Sequence, residues 1–431
     1  MLDAVADVLI DALIEVHGPW ISVPGAPRRV GRDPPTACFG PGPDGVPSAP
    51  TGGRAEGTGV DLELTSDQQL VQATARQFLE RESPMSVVRA LTEKGEDFDR
   101  DRWSQTGELG WFAPFVAEED GGGSVSGAPV ADAVIVVEEA GRAMLPGPLI
   151  PTNVVAFAIA REGTAEQRAA HLGGLVEGSA VATWAFIEPH GRWDAGSVEL
   201  TATRSGDDWI LTGVKSLVQS GSTADLLLVT ARHEGRLAQF LVPGATPGVA
   251  TTPLESLDLA RSFADVRFDS VRLPHSAQLG DDSSDAVARQ LDLAAVLVCA
   301  ESVGAADRCF EMTLEYAKER KAFGRPIGSF QALKHRFADM LLWLESMKAI
   351  TDAAVVAFDR DIDRAEHVSI AKAYVSERAP MLVRDCLQIH GGIGYTWEHD
   401  LHFYLRRIES NALLYGGVRH HRDRVATDVG L

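Results

Sequence analysis

Two segments near the C-terminus carry residue types able to hold an anion. The first, YAKERKAFGRPIGSFQALKHRFADM (316–340), ends a charged helix at Arg320 and Lys321 and turns through Phe323 and Gly324 before Gln331 opens another helix. The second, QIHGGIGYTWE (388–398), sets Gln388 ahead of Gly391, Gly392 and Gly394. An arginine can give charge-assisted hydrogen bonds to a pyrophosphate, and glycines let backbone N–H groups approach one closely. Each segment also has a simpler reading: Arg320 and Lys321 as a solvated helix end whose cations complement the dipole, and the glycines as a helix C-cap. Further on, LLYGGVRHHRDR (413–424) presents a tyrosine and two glycines, Tyr415, Gly416 and Gly417.

The elements that must position these residues read as helices, then strands, then long helices. Residues 1–16 place Asp3, Asp7, Asp11 and Glu15 on one helical face and Val5, Leu9 and Leu13 on another, which excludes a signal peptide or membrane span. From Gly18 to Gly59 nearly half the residues are Pro or Gly, a composition that reads as a disordered linker; the helix before it could bind a partner, and the simpler reading is an extension without a catalytic role. Order is expected from about residue 61. Thr65 or Ser66 can cap a helix whose apolar stripe is Leu70, Thr74, Phe78 and Leu79, and further helices run to about Gly178. Between Ala180 and Gly280, SVELTATRSGDDWILTG, ADLLLVTAR, RLAQFLVPG and ADVRFDSVRLP alternate as strands of an antiparallel β domain, with a turn at Ser205–Asp208. Beyond Asp281 helical periodicity returns, with stripes Phe310, Leu314, Ala317 and Phe337, Leu341, Leu344, Met347 on either side of the break FGRPIGSF. The expected fold class is α+β, with domains at 61–179, 180–281 and 282–431 after an extension at 1–60.

Composition narrows the function. At 431 residues the chain exceeds the roughly 100–200 of one domain. A net charge of -21 offers no attraction to phosphate backbones, so nucleic acid is not an expected partner. Cys38, Cys299, Cys309 and Cys386 lie far apart, with neither CxxC spacing nor a His cluster, so no metal site or disulfide framework is expected and a reducing cytoplasm fits.

Taken together, the charged helix end with its FG turn, the Gln eight residues beyond Phe323 and the later QxxGGxG resemble the acyl-CoA dehydrogenase family, over residue 61 to the C-terminus; GELGWFAPFVAEEDGGG and ADVRFDSVRLP add to the likeness. The resemblance implies an N-terminal helical domain, a middle β domain and a C-terminal four-helix bundle, assembled as dimers or dimers of dimers. It also implies FAD lying across a subunit interface, an acyl-CoA substrate and an electron-transfer acceptor. In that family the corresponding residues hold the ADP half of the neighbouring subunit's flavin; here they are Arg320, Phe323, Gln331, Gln388, Gly391 and Gly392.

The same resemblance exposes departures. Acyl thioester dehydrogenation needs a base for the α proton while the β hydride goes to flavin. The family's usual Glu position falls here on Tyr415 or, shifted by one, on Gly416, and the alternative position on the first helix of the C-terminal domain falls on Ala294, beside Ala295. Asp292 would point about 200° away around that helix, and Glu301 is two turns further on. Where the family has TEPGAGSD this chain has IEPHGRWD, with Ile187 for Thr; where it has WITN this chain has LVQS, with Leu217 and Gln219 replacing a ring-stacking Trp and a hydroxyl near N5. Trp184 can lie beside a flavin or serve as core.

The expected function is therefore the base-lacking subunit of a heteromeric, FAD-dependent acyl-CoA dehydrogenase, like the α2β2 enzymes of actinobacteria that act on steroid side-chain thioesters. A second reading is a self-sufficient dehydrogenase with Tyr415, Asp292 or His420 as an unconventional base, although a tyrosine of ordinary pKa near 10 is a poor one. A third is a flavin-free interaction protein on the same fold.

Overall fold

The computed structural model describes residues 64–431 except His190, Asp282, Val429 and Leu431. The expected amphipathic helix at 1–16 and linker at 18–59 lie outside the described residues. Among the described residues six helices come first: α1 (Ser66–Glu82), α2 (Met85–Lys94), α3 (Arg100–Glu108), α4 (Pro129–Arg142), α5 (Leu149–Glu162) and α6 (Ala165–Val176). Thr65 caps α1 in a capping box with Gln68, and Thr164 does the same for α6 with Gln167. The α1 stripe differs from expectation. Leu70 and Thr74 are exposed, while Ala75, Phe78 and Leu79 are buried. Gln68 turns inward as well, because its amide bonds Asp132 on α4 at 3.0 Å.

The middle region is a sheet of β1 (Ala182–Ala185), β2 (Thr201–Ser205), β3 (Asp208–Gln219), β4 (Leu226–His233), β5 (Arg236–Pro243), β6 (Val249–Leu254), β7 (Phe263–Leu273) and β8 (Gln278–Leu279). Its order is β6-β7-β3-β2-β4-β5-β8, with β1 on β4. The four expected strand segments all contribute, but the sheet is not wholly antiparallel, since β1 runs parallel to β4 from Ala182↔Leu226 to Ala185↔Val229. Strand β1 is too short to show alternation and is buried at every position, which hides it from a period-two reading. Trp209, Phe240 and Phe268 centre the core of this sheet.

The C-terminal bundle has three long helices, α7 (Ser284–Glu319), α8 (Gln331–Arg360) and α9 (Arg364–His390), and two short ones, α10 (Leu401–Asn411) and α11 (Val418–Asp428). A ribbon of β9 (Lys321–Ala322) and β10 (Arg325–Pro326) makes the FGRPIGSF break. On α8, Leu344 and Met347 are buried as expected, whereas Leu341 and its neighbour Leu342 are exposed. Helices α4 and α7 cross in backbone contact: a Cβ on Gly141 would collide with the Glu301 carbonyl, and one on Gly304 with that of Glu138. Glu301, at that crossing, is buried. Among the described residues no helix is long and apolar enough to cross a membrane.

Candidate functional site

The two segments expected to hold an anion meet at one end of the bundle. Tyr316, one turn before Arg320, stacks on His390 with ring centroids 4.4 Å apart, and its hydroxyl lies 3.5 Å from the His390 carbonyl. This brings the end of α7 beside the end of α9. Arg320 is the C-cap of α7, and its exposed side chain makes no ion pair with a described residue. Phe323 is 96% exposed and adopts a left-handed φ of 52°, a conformation rare for a non-glycine residue, which aims its ring outward from the ribbon turn. Gln331 opens α8 with its amide 3.0 Å from His335 Nε2.

Gln388 is exposed, and Gly391 is the α9 C-cap with φ 64°, so the helix-cap reading of the glycine holds for this residue. A Cβ on Gly391 or Gly392 would meet nothing within 4 Å, so open space faces this stretch of backbone. A cation, an exposed amide and an open glycine stretch at adjoining helix ends can bind a diphosphate, while the Gly391 N–H itself closes α9 by donating to the Leu387 and Gln388 carbonyls.

The 412–417 turn forms a second, buried neighbourhood. Lys372 on α9 has no carboxylate partner among the described residues; its ammonium donates to Ser376 Oγ (2.8 Å) and to the Asn411 and Ala412 carbonyls (2.9 and 3.4 Å), closing the C-terminal end of α10. Burial pushes its pKa down to about 8. His421 Nε2 lies 3.0 Å from the Tyr415 carbonyl, and burial together with Lys372 and Arg424 lowers its pKa to about 2, so the ring is neutral and donates from Nε2. Tyr415 (φ 57°) is buried, and burial raises its phenol above the ordinary value. At Gly416 (φ 106°) a Cβ would lie 2.5 Å from His420 Cδ2 and 2.7 Å from His421 Nε2, so the turn leaves no room for a side chain there.

Models of the acyl-CoA dehydrogenase N-terminal, middle and C-terminal domains match residues 65–179, 183–271 and 284–430. The chain belongs to the acyl-CoA dehydrogenase family. It is 30% identical over 366 residues to the acyl-CoA dehydrogenase IpdE2 of Mycolicibacterium smegmatis, covering 85% of this chain and 100% of that protein. Among solved structures, a variant of the Tcur3481–Tcur3483 steroid ACAD shares 30% identity with a TM-score of 0.77, covering 84% of this chain and 97% of that one. A glutaryl-CoA dehydrogenase from Mycobacterium smegmatis in complex with FADH2 gives 0.78 at 25% identity, covering 85% and 95%.

In this acyl-CoA dehydrogenase fold most of the remaining candidate residues are buried. Asp292 is buried and accepts from Arg364 Nε (3.0 Å) and Arg424 (2.9 Å), binding α7 to α9 and α11. Ala294 and Ala295 are wholly buried. His420 has its pKa lowered by burial and by Arg424. Trp184 is core: its indole donates to Thr230 Oγ1 at 3.0 Å. Ile187 is buried, Gln219 donates to the Gly147 carbonyl (3.1 Å), and Leu217 is exposed at φ 48°.

A charged centre that the motifs do not announce lies beside the turn. Glu301 accepts from Arg261 (2.6 and 2.8 Å), Arg407 (3.0 Å) and Asn411 (2.7 Å), and Arg407 also pairs with Asp258. Burial alone would raise the Glu301 pKa; Arg261 and Arg407 overcome it and hold it at about 2. Lone cations inside apolar runs, such as Lys372 in SIAKAYV and Lys215 in LTGVKSLV, were the available sequence signal for buried charge of this kind.

The Glu301 shift gives a pH dependence. A carboxyl depressed from 4.5 to about 2 on folding contributes stability that is full above its unfolded pKa and is lost as pH falls through the folded one. Unfolding free energy of the wild type is therefore expected to fall between about pH 4.5 and 2 more steeply than that of Glu301→Gln. Equal slopes in urea titrations across that window would show the carboxylate to be unpaired.

Proposed function

We propose that this chain is one subunit of a heteromeric FAD-dependent acyl-CoA dehydrogenase, lending ADP-binding residues to a flavin held mainly by a partner subunit and supplying no base itself. The observation that carries the reading is the exposure, at the adjoining ends of α7 and α9, of Arg320, Gln388 and the open Gly391–Gly392 stretch, together with a 96% exposed Phe323. These residue types suit a diphosphate, yet they face outward and enclose nothing among the described residues. The exposed Leu341 and Leu342 on α8 add apolar surface suited to a partner.

FAD, when bound, supplies the acceptor for the hydride from the acyl β-carbon, and an electron-transfer acceptor removes the electrons afterwards. The α proton needs a carboxylate base. In this chain the turn that would present it offers a buried phenol and a glycine without room for a side chain, while Glu301 and Asp292 are tied to arginines. On this reading the base belongs to the partner. The free, buried thiols of Cys299, Cys309 and Cys386 suit a reducing cytoplasm. The paired designation of the Tcur3481–Tcur3483 steroid ACAD favours a bulky acyl-CoA and a two-component assembly.

The absorption spectrum of the purified protein tests this. Expressed alone it is expected to carry little flavin, and co-expressed with its partner to give a yellow heteromer with about one FAD per two chains. A homomer with one FAD per chain that oxidises acyl-CoA would replace this reading with the self-sufficient one; a colourless heteromer would favour the interaction protein.

A further inference from the structure

We infer that Trp193 is a built-in plug, closing this chain's own cleft against a flavin ring or acyl thioester; the inference rests on the heteromeric reading and adds the residue that enforces it. The family resemblance places the ring-contacting segment at 187–194 and the base-bearing turn at 415–416, so the reacting groups would lie between them. In this protein the two segments touch. The Trp193 ring lies 4.8 Å from that of Tyr415, and on its other side stacks with Phe186 at 6.0 Å and 14°. Phe186 in turn lies 4.9 Å from Trp184, which is anchored to Thr230. The four rings form an unbroken column from the β-sheet core to the turn.

The segment carrying Trp193 is held at both ends. At its start, Glu188 accepts from the N–H groups of Glu199 (3.0 Å) and Leu200 (2.8 Å) and pairs with the buried Lys215 (2.6 Å). At its end, Arg232 donates to the Ala195 and Val198 carbonyls at 2.9 and 2.8 Å. Between these clamps, the Ser197 hydroxyl donates to the Arg192 carbonyl at 2.7 Å. The opposing wall is equally fixed, since Lys372 and His421 hold the carbonyls of residues 411, 412 and 415. The half-buried indole lies between these two clamped stretches, so a ligand ring entering there would have to displace it.

The test is equilibrium dialysis of the purified heteromer against rising free FAD, comparing wild type with Trp193→Ala and Trp193→Phe in this chain. Wild type and Trp193→Phe are expected to saturate at one FAD per two chains. Trp193→Ala is expected to reveal a second, weaker class of sites, approaching one FAD per chain. Sedimentation and thermal melting verify assembly; if the alanine variant fails to assemble, Tyr415→Ala removes the other half of the contact and is expected to show the same second class. An assembled variant with no added FAD site overturns the plug while leaving the heteromeric reading intact. Full occupancy of the wild type overturns both.

Discussion

Arg407→Met is expected to destabilise the protein by about 3–5 kcal/mol, the usual consequence of leaving buried charges without their partner. Arg407 is wholly buried, and its guanidinium serves Asp258 and Glu301 together with the Ala260 (3.2 Å) and Leu145 (3.4 Å) carbonyls. Those partners come from the connection between α4 and α5, the loop before β7 and helix α7, so one side chain ties the helical layers to the sheet. Arg407→Lys is expected to recover only part of the loss, since an ammonium cannot reproduce the planar fork that reaches two carboxylates. Urea unfolding of the purified protein reads both effects, and a methionine variant within 1 kcal/mol of wild type would mean that Asp258 and Glu301 are neutralised in some other way.

The second large effect concerns flavin rather than folding. If Arg320 contacts the diphosphate of the partner's FAD, Arg320→Ala removes a charge-assisted contact of roughly 1.5–3 kcal/mol and weakens FAD binding about ten- to a hundredfold. Because Arg320 is exposed and makes no ion pair with a described residue, its removal is expected to leave the melting temperature of the flavin-free protein unchanged. Turnover is expected to recover at high FAD. Unchanged FAD affinity would remove the cross-subunit clamp from the account.

The fold was largely legible because its signals are local and repeated. The capping box at Thr65, the Ser205–Asp208 turn and the long periodicity of α7 each agree with their surroundings. Where the reading slipped, tertiary contacts overrode the local pattern. Gln68 is buried because Asp132 awaits it, and Leu70 stays outside. Leu341 continues an apolar stripe beyond the surface that this chain covers by itself. In the candidate site, the types and spacing of Arg320, Gln388 and Gly391 were visible, whereas the buried network was not. Arg261, Glu301 and Arg407 are separated by 40 and 106 positions along the chain, and no spacing rule links them. Likewise, the tryptophan in IEPHGRWD is plain in the sequence, but its contact with Tyr415 exists only in the fold.

The central claim is that this chain helps to hold flavin and moves no proton. It is tested most directly by the turnover of a reconstituted heteromer carrying Tyr415→Phe in this subunit, with flavin content determined on the same sample. Removing only a buried hydroxyl is expected to leave flavin content unchanged and turnover within a few-fold of wild type; loss of turnover with flavin still bound would place the base in this subunit and contradict the account.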